Sequence, residues 1–183
     1  LRSETGREVR GAAVVGADGL WSRLREHVKP GAAPVFAGAS ASRIVLPAER
    51  AGRLAESAVG LWLSAGAHVV HYPMRGGREI AVVVIADETW QSRVWDAEID
   101  RAHLGRALAC FTRELEDVLL EAPGWRRWSL HRLAQLPQWN AGRCVLIGDA
   151  AHPMFPYLAQ GGVLALEDAV ELATCLVALG TDV

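Results

Sequence analysis

Apolar and polar positions along this chain change period several times, and the changes mark its elements. Val14-Val15 lies in a short continuous apolar run, the pattern of a strand buried in a parallel sheet. The stretch leading into it from Val9 reads as a hairpin arm. Asp18-Gly19 makes a turn, and residues 20–27 have helical spacing with Asp18 as a candidate N-cap. Pro30 to Ser40 is rich in Gly, Ala and Pro and reads as a loop crossing into another lobe. Beyond it the pattern turns to short strands at 43–46, 59–64, 68–72 and 79–86. The turns Ser64-Ala65-Gly66 and Arg75-Gly76-Gly77 argue for antiparallel pairing. Residues 100–120 carry helical spacing through Leu104, Leu108, Phe111, Leu115 and Leu119. A strand is predicted at 125–133 and a buried strand at 143–147. A final helix over 161–179 is apolar on nearly all sides and is therefore expected to be buried.

Two segments of parallel-sheet character thus enclose a β-rich section. The expected fold class is α/β (mixed α+β), with a β-sheet lobe inserted into one α/β domain. The expected division is 1–29, 30–134 and 135–183. The chain begins at Leu1 and enters its first strand almost at once, which reads as the later part of a longer protein.

Composition narrows the function classes. The 183 residues are 51% hydrophobic with net charge −2, which argues for a globular protein and against a nucleic-acid partner. Lys29 is the one lysine, an arginine bias read as genomic. No apolar run reaches the roughly 18 residues of a membrane span, and no signal peptide opens the chain. Cys110, Cys144 and Cys175 form no CxxC pair and sit in apolar runs. Buried thiols, a reducing compartment and a cytoplasmic location are expected. No His/Cys set has the short spacing of a zinc site. A homodimer is left open. Of the seven tryptophans, Trp62, Trp90 and Trp95 are candidates for an aromatic pocket. Trp21, Trp125, Trp128 and Trp139 are expected to pack between lobes.

The chemistry concentrates in two strand-end turns. At Gly148-Asp149 a carboxylate stands just past a buried strand, where α/β folds bind ligands and where it can accept hydrogen bonds from sugar hydroxyls. A turn or N-cap aspartate is the structural alternative. Pro153 and Pro156 stiffen the next loop. Gln160-Gly161-Gly162 then brings backbone N–H groups to a helix start, which carries about half a positive charge and stabilises an anion. Glu167, Asp168 and Glu171 read as structural. The second turn, Val14-Val15-Gly16-Ala17-Asp18-Gly19-Leu20-Trp21-Ser22-Arg23-Leu24-Arg25, repeats the strand, Gly/Asp turn and helix.

Gly16-Ala17-Asp18-Gly19, Ser22 and Arg25 resemble the DG motif of the flavoprotein aromatic hydroxylases, the group A flavin monooxygenases. Gly148-Asp149-Ala150-Ala151-His152-Pro153, Pro156, Gln160-Gly161 and Glu167-Asp168-Ala169 resemble their GD motif. The match is most similar to the salicylate hydroxylase-like branch. The resemblance implies the C-terminal portion of a Rossmann-like FAD-binding domain, with 30–134 as substrate lobe. It implies that Asp149 binds the ribityl chain of FAD and that Gln160, Gly161 and Gly162 lie by the flavin ring. Asp18 and Arg25 would lie near the pyrophosphate, Gly16, Gly19, Gly148 and Pro153 would shape the two turns, and Pro156 would line the place where substrate meets flavin. It implies NAD(P)H as cosubstrate and O₂ uptake by the reduced flavin, with a C4a-hydroperoxide passing one oxygen to an electron-rich ring. The family's GxGxxG loop has no counterpart here, so residues 1–183 alone are expected to bind FAD weakly or not at all.

The middle section should hold a small aromatic substrate. His68, Val70 and Tyr72 share one strand face, and Val69 and His71 the other. His68 and Tyr72 match a His/Tyr pair that lines the active site in related hydroxylases, with His68 placed to take a phenol proton. His71 competes if the register slips by one. His152 is read as a packing residue. Two alternatives stand beside hydroxylation. One is a chain inactive by itself. The other is a flavin-dependent halogenase, whose Trp-x-Trp-x-Ile segment is replaced here by His68-Val-Val-His-Tyr-Pro73.

Overall fold

A computed structural model describes residues 2, 5–56, 58–178 and 180. The chain divides into two compact units, one formed by residues 1–35 and 131–183 and the other by residues 36–130. The outer unit contains strand β1 (Val14–Gly16) and helix α1 (Leu24–Val28). The middle unit is built from β2 (Val35–Pro47), β3 (Gly60–Ser64), β4 (Ala67–Met74), β5 (Glu79–Asp87), β6 (Ala97–Glu98), α2 (Arg101–Leu108), α3 (Arg113–Glu121) and β7 (Arg126–Arg132). The outer unit resumes with β8 (Asn140–Ala141), β9 (Cys144–Leu146) and α4 (Gly161–Ala178).

The middle unit is a six-stranded sheet in the order β3-β4-β5-β2-β7-β6. The β3–β4 and β4–β5 pairs are antiparallel, as the tight turns predicted, and the β5–β2 pair is antiparallel as well. Alternation along each strand sorts the side chains. Ile44, Leu46, Val69, Ile80, Val82 and Val84 point to one face, where they form a single core with Leu104, Leu108, Leu115 and Leu119 of α2 and α3. At about 25 cal/mol per Å² of apolar surface, this two-layer contact is the main stabilising term of the unit. A buried polar knot adds to it. Glu88 lies 3.3 Å from both the Arg127 guanidinium and His103 Nδ1, and Arg127 stacks over Trp90 at 3.9 Å.

Several expectations change here. The helix predicted over 100–120 is two helices. Asp100 caps α2 by accepting the Ala102 N–H at 3.0 Å, and the extended Thr112 restarts the chain as α3. The break lets two short helices each turn a leucine face onto the sheet. The strand expected at 43–46 is much longer and takes in most of the predicted loop, since Val35 onward is extended. Trp62 lies against the core, and Trp125 is buried in it with its indole N–H donated to the Leu119 carbonyl at 3.0 Å. Neither has the role foreseen for it. Of the three cysteines only Cys144 is buried, while Cys110 and Cys175 are exposed, because each falls on the outer side of its segment.

The outer unit is thinner. Its three-stranded sheet has the order β1-β9-β8, with β1 parallel to β9. β1 is an edge strand, so Val15 is 45% exposed and the Val14-Val15 run is not buried on both faces. The core is small: Val28, Leu136, Cys144, Leu146, Ala150 and Ala151. Helix α4 also departs from expectation. Leu164, Ala165, Asp168 and Leu172 are half-buried along one stripe, but Val163, Leu166, Val170 and Val177 are exposed. Its apolar character reaches round the helix, whereas the described part of this unit covers only one side.

Candidate functional site

Both strand-end turns lie in the outer unit, side by side, because β1 and β9 are paired with Gly16 opposite Leu146. Gly16 is required by packing: a Cβ there would stand 2.7 Å from Leu146 Cδ2 and 3.2 Å from Leu24 Cβ. Gly19 turns the chain at φ +75°, where other residues are strained. The Asp18 carboxylate accepts the N–H groups of Arg23 at 2.8 Å and Leu24 at 3.3 Å. Partial burial raises its pKa, but hydrogen bonds from Ser22, Arg23 and Leu24 outweigh this and hold it below the ordinary carboxylate value. Asp18 therefore caps the entry to α1. A carboxylate so engaged spends its acceptors on its own turn.

Arg25 is the structural link. It is 1% exposed. Its Nε donates to the Ala150 carbonyl at 2.8 Å, and one terminal nitrogen donates to the Asp149 carbonyl at 2.9 Å. The guanidinium also donates to the carbonyls of Leu20 at 2.7 Å and Gly19 at 3.3 Å. It thus bonds the backbones of both turns. Arg25, expected near the pyrophosphate, serves here as an internal joint, with its side chain buried and its donors on four backbone carbonyls. Burial lowers its pKa, and the charges of Asp18 and Asp149 partly restore it.

The second turn is pinned to α4. Gly148 has φ +57°, and a Cβ on it would stand 3.0 Å from the Ala165 Cβ. The Gly148 N–H donates to Asp168 Oδ2 at 2.7 Å, and His152 Nε2 lies 2.6 Å from the same oxygen. The His152 ring also packs on Trp139 with centroids 4.7 Å apart. Reading Asp168 as structural and His152 as packing missed their pairing. The signal was available: Gly161, Ala165, Asp168 and Leu172 recur on one helical face.

What remains open is the edge formed by Asp149 and the start of α4. The Asp149 side chain is exposed, and among the described residues its carboxylate makes no hydrogen bond. Its Oδ1 lies 3.9 Å from where a Gly161 Cβ would be, and nothing stands within 4 Å of that position on Gly162. A lone carboxylate and the bare first turn of an eighteen-residue helix therefore meet, as the sequence suggested. The Gln160 carbonyl accepts the Leu164 N–H at 3.0 Å and starts that helix. Pro153 is half-buried, and Pro156 opens a short 3₁₀ turn with its ring exposed. Ala159 follows at φ +53°, a left-handed position. These features fit FAD: hydroxyl acceptors beside Asp149, and a space that any Cβ at 161 or 162 would narrow.

His68 and Tyr72 lie in the middle unit, on the sheet face opposite α2 and α3. Their cross-strand neighbours on that face are Leu63, Ile85 and Ala81. His71 faces the core, 2% exposed, and its ring occupies the place that a Cβ on Gly60 would take. Burial lowers the pKa of both histidines below the ordinary value, and the Leu54 backbone opposes this at His71. Arg43 lies on the same face and is exposed, while Ala41, Ala81 and Ile85 of that face are buried.

The sequence pattern of the FAD binding domain family matches residues 1–182. The chain is 36% identical over 166 residues to 3-hydroxybenzoate 6-hydroxylase 1 of Aquipseudomonas alcaligenes, covering 90% of this chain and 42% of that protein. A salicylate hydroxylase–substrate complex superposes with a TM-score of 0.77 at 26% identity, over 93% of this chain and 46% of that one. CtdE with FAD and substrate superposes at 0.85 and 21% identity, over 97% of this chain and 48% of that one, which speaks to fold alone. The chain therefore belongs to the FAD binding domain family, and it spans about half the length of these relatives.

Proposed function

We propose that the protein containing this chain hydroxylates a phenolic or hydroxybenzoate-like ring, using FAD, O₂ and NAD(P)H. The observation that carries the reading is the exposed Asp149 carboxylate, which makes no hydrogen bond among the described residues, beside the glycine-opened start of α4. Asp149 would accept hydrogen bonds from the ribityl hydroxyls, and the N–H groups of Gly161 and Gly162 would favour negative charge on the ring. Gln160 and Pro156 would flank the ring, and Arg25 would hold the two turns in register. When bound, FAD would supply the redox centre that takes electrons from NAD(P)H and activates O₂.

The ring to be oxidised would lie on the face of the middle sheet that carries His68 and Tyr72. His68 would take the phenol proton, which raises the electron density of the ring. Burial favours the neutral imidazole, the form able to accept that proton. Tyr72 would hydrogen-bond the same oxygen. Relatives named for 3-hydroxybenzoate support a substrate of this kind. The halogenase alternative gains no such support.

The test uses the full-length protein. It should purify with FAD and consume NADH with 3-hydroxybenzoate, giving a hydroxylated product. His68→Asn should lower product formed per NADH by about 10²-fold or more, and should flatten the loss of activity that protonation of His68 causes on the acid side of the ordinary imidazole value. A protein that stays colourless after FAD addition defeats the reading. Unchanged coupling in His68→Asn, with loss in His71→Asn, removes His68 from it.

A further inference from the structure

We infer that His152 and Asp168 are positioning residues: together they hold Asp149 at a fixed distance from the N-terminus of α4, and so set how strongly the site favours reduced over oxidised flavin. The inference rests on the FAD reading of this edge, while the pairing rests on geometry. One oxygen of Asp168 holds both ends of the turn that displays Asp149. Asp168 Oδ2 accepts the Gly148 N–H at 2.7 Å and lies 2.6 Å from His152 Nε2. A carboxylate only accepts, so Nε2 carries the proton between them. The turn is also closed on itself, because the Gly148 carbonyl accepts the N–H groups of Ala151 and His152, each at 2.9 Å. Residues 148–152 therefore form one closed loop, fastened to α4 at a single carboxylate.

The attachment point matters because of its place on the helix. Gly161, Ala165 and Asp168 lie on one face of α4, with Asp168 about two turns, roughly 10 Å, beyond Gly161. The loop is bonded to that face at Asp168 and seated on it at Ala165, whose Cβ would stand 3.0 Å from a Cβ added to Gly148. Asp149 Oδ1 then comes 3.9 Å from where a Gly161 Cβ would be. His152 is braced from its other side by Trp139, with ring centroids 4.7 Å apart. The Trp139 carbonyl accepts the Leu146 N–H at 2.8 Å, which ties the brace to β9. The His152 and Asp168 side chains are mostly buried, where water competes little for their bond. A carboxylate that accepts from ribityl hydroxyls acts in either redox state. A helix N-terminus instead favours the state with more negative charge on the ring. A loop that slips along α4 therefore loses affinity for both states and loses more for the reduced one.

Two measurements on the full-length protein test this without turnover: the FAD dissociation constant by fluorescence quenching, and the midpoint potential of the bound flavin. Asp168→Ala removes both bonds. It should weaken oxidised FAD by about tenfold. Reduced FAD should weaken by about tenfold more, which lowers the two-electron potential by about 30 mV. His152→Ala leaves the Gly148 bond in place and should give a smaller shift of the same sign; it carries the test if the Asp168 variant does not fold. His152→Gln keeps an N–H donor at similar reach and should recover most of the wild-type potential. Unchanged affinity and potential in folded His152→Ala overturns the inference. So does a Gln variant as impaired as the Ala variant, which would leave His152 with no role beyond packing on Trp139. A wild-type protein that binds no FAD overturns it together with the function proposed above. FAD bound with these shifts but without hydroxylation upholds the pair and counts against the reaction alone.

Discussion

The two strand-end turns share a design and diverge in what their carboxylates do. Each follows a strand of the same small sheet, each contains Gly and Asp, and each leads toward a helix. At the first, Asp18 spends its carboxylate on the N–H groups of Arg23 and Leu24. At the second, the corresponding helix-capping work is absent and a different residue, Asp168, holds the turn from α4. Among the described residues the Asp149 carboxylate makes no hydrogen bond. The lesson is that an aspartate becomes available to a ligand when another group has taken over the satisfaction of nearby backbone donors. The first turn is a structural abutment, and the second leaves its carboxylate exposed.

Arg25 joins them, so its removal should have the largest effect. Arg25→Met leaves four carbonyls without their charged donor inside a buried site. Each such loss costs about 1–3 kcal/mol before relaxation, and the losses are not additive. A net destabilisation of about 3–5 kcal/mol is expected by urea unfolding, together with loss of FAD retention. Arg25→Lys should recover little, because an ammonium cannot span four acceptors. A Met variant as stable as wild type would show that the two turns are independent.

Asp149 should behave in the opposite way. Its side chain is exposed and bonds nothing among the described residues. Asp149→Ala should therefore stay within about 0.5 kcal/mol of wild type in stability. FAD affinity, followed by flavin fluorescence quenching, should fall by about tenfold or more through the loss of charge-assisted hydrogen bonds. If stability falls and affinity does not, Asp149 belongs with Asp18 as a structural residue.

The contrast between the turns was only half legible in the sequence. Local composition exposes Gly16, Gly19, Gly148 and Asp149, since turn chemistry is written in neighbouring residues. The strands of the middle unit were legible for the same reason: alternation states which side is core, and it separates His68 from His71. Long-range partners were not. Arg25 reaches Ala150 across 125 positions and Asp168 reaches Gly148 across 20, and no local pattern encodes either bond. Helix α4 misled in another way. A helix apolar all round reads as buried, but composition cannot say whether the covering residues lie in the same unit. The break at Ala109–Thr112 was hidden because Leu108, Phe111 and Leu115 keep helical spacing across it.

The smallest effect should come from the first carboxylate, and pH isolates it. Because the folded-state pKa of Asp18 lies below its unfolded value, the ionised form favours the folded state. That contribution is present above the unfolded pKa of about 4 and is lost as pH falls through the folded value. Asp18→Asn keeps a side-chain acceptor for the N–H groups of Arg23 and Leu24 but removes the charge. The variant should be less stable than wild type by about 0.3–1 kcal/mol at pH 7. The gap should close as pH falls below about 4. FAD affinity at pH 7 should change little, since this carboxylate points into its own turn. A gap independent of pH would mean that Asp18 acts by shape alone. A large loss of FAD affinity in a variant of near-wild-type stability would return Asp18 to the ligand edge and erase the distinction between the turns.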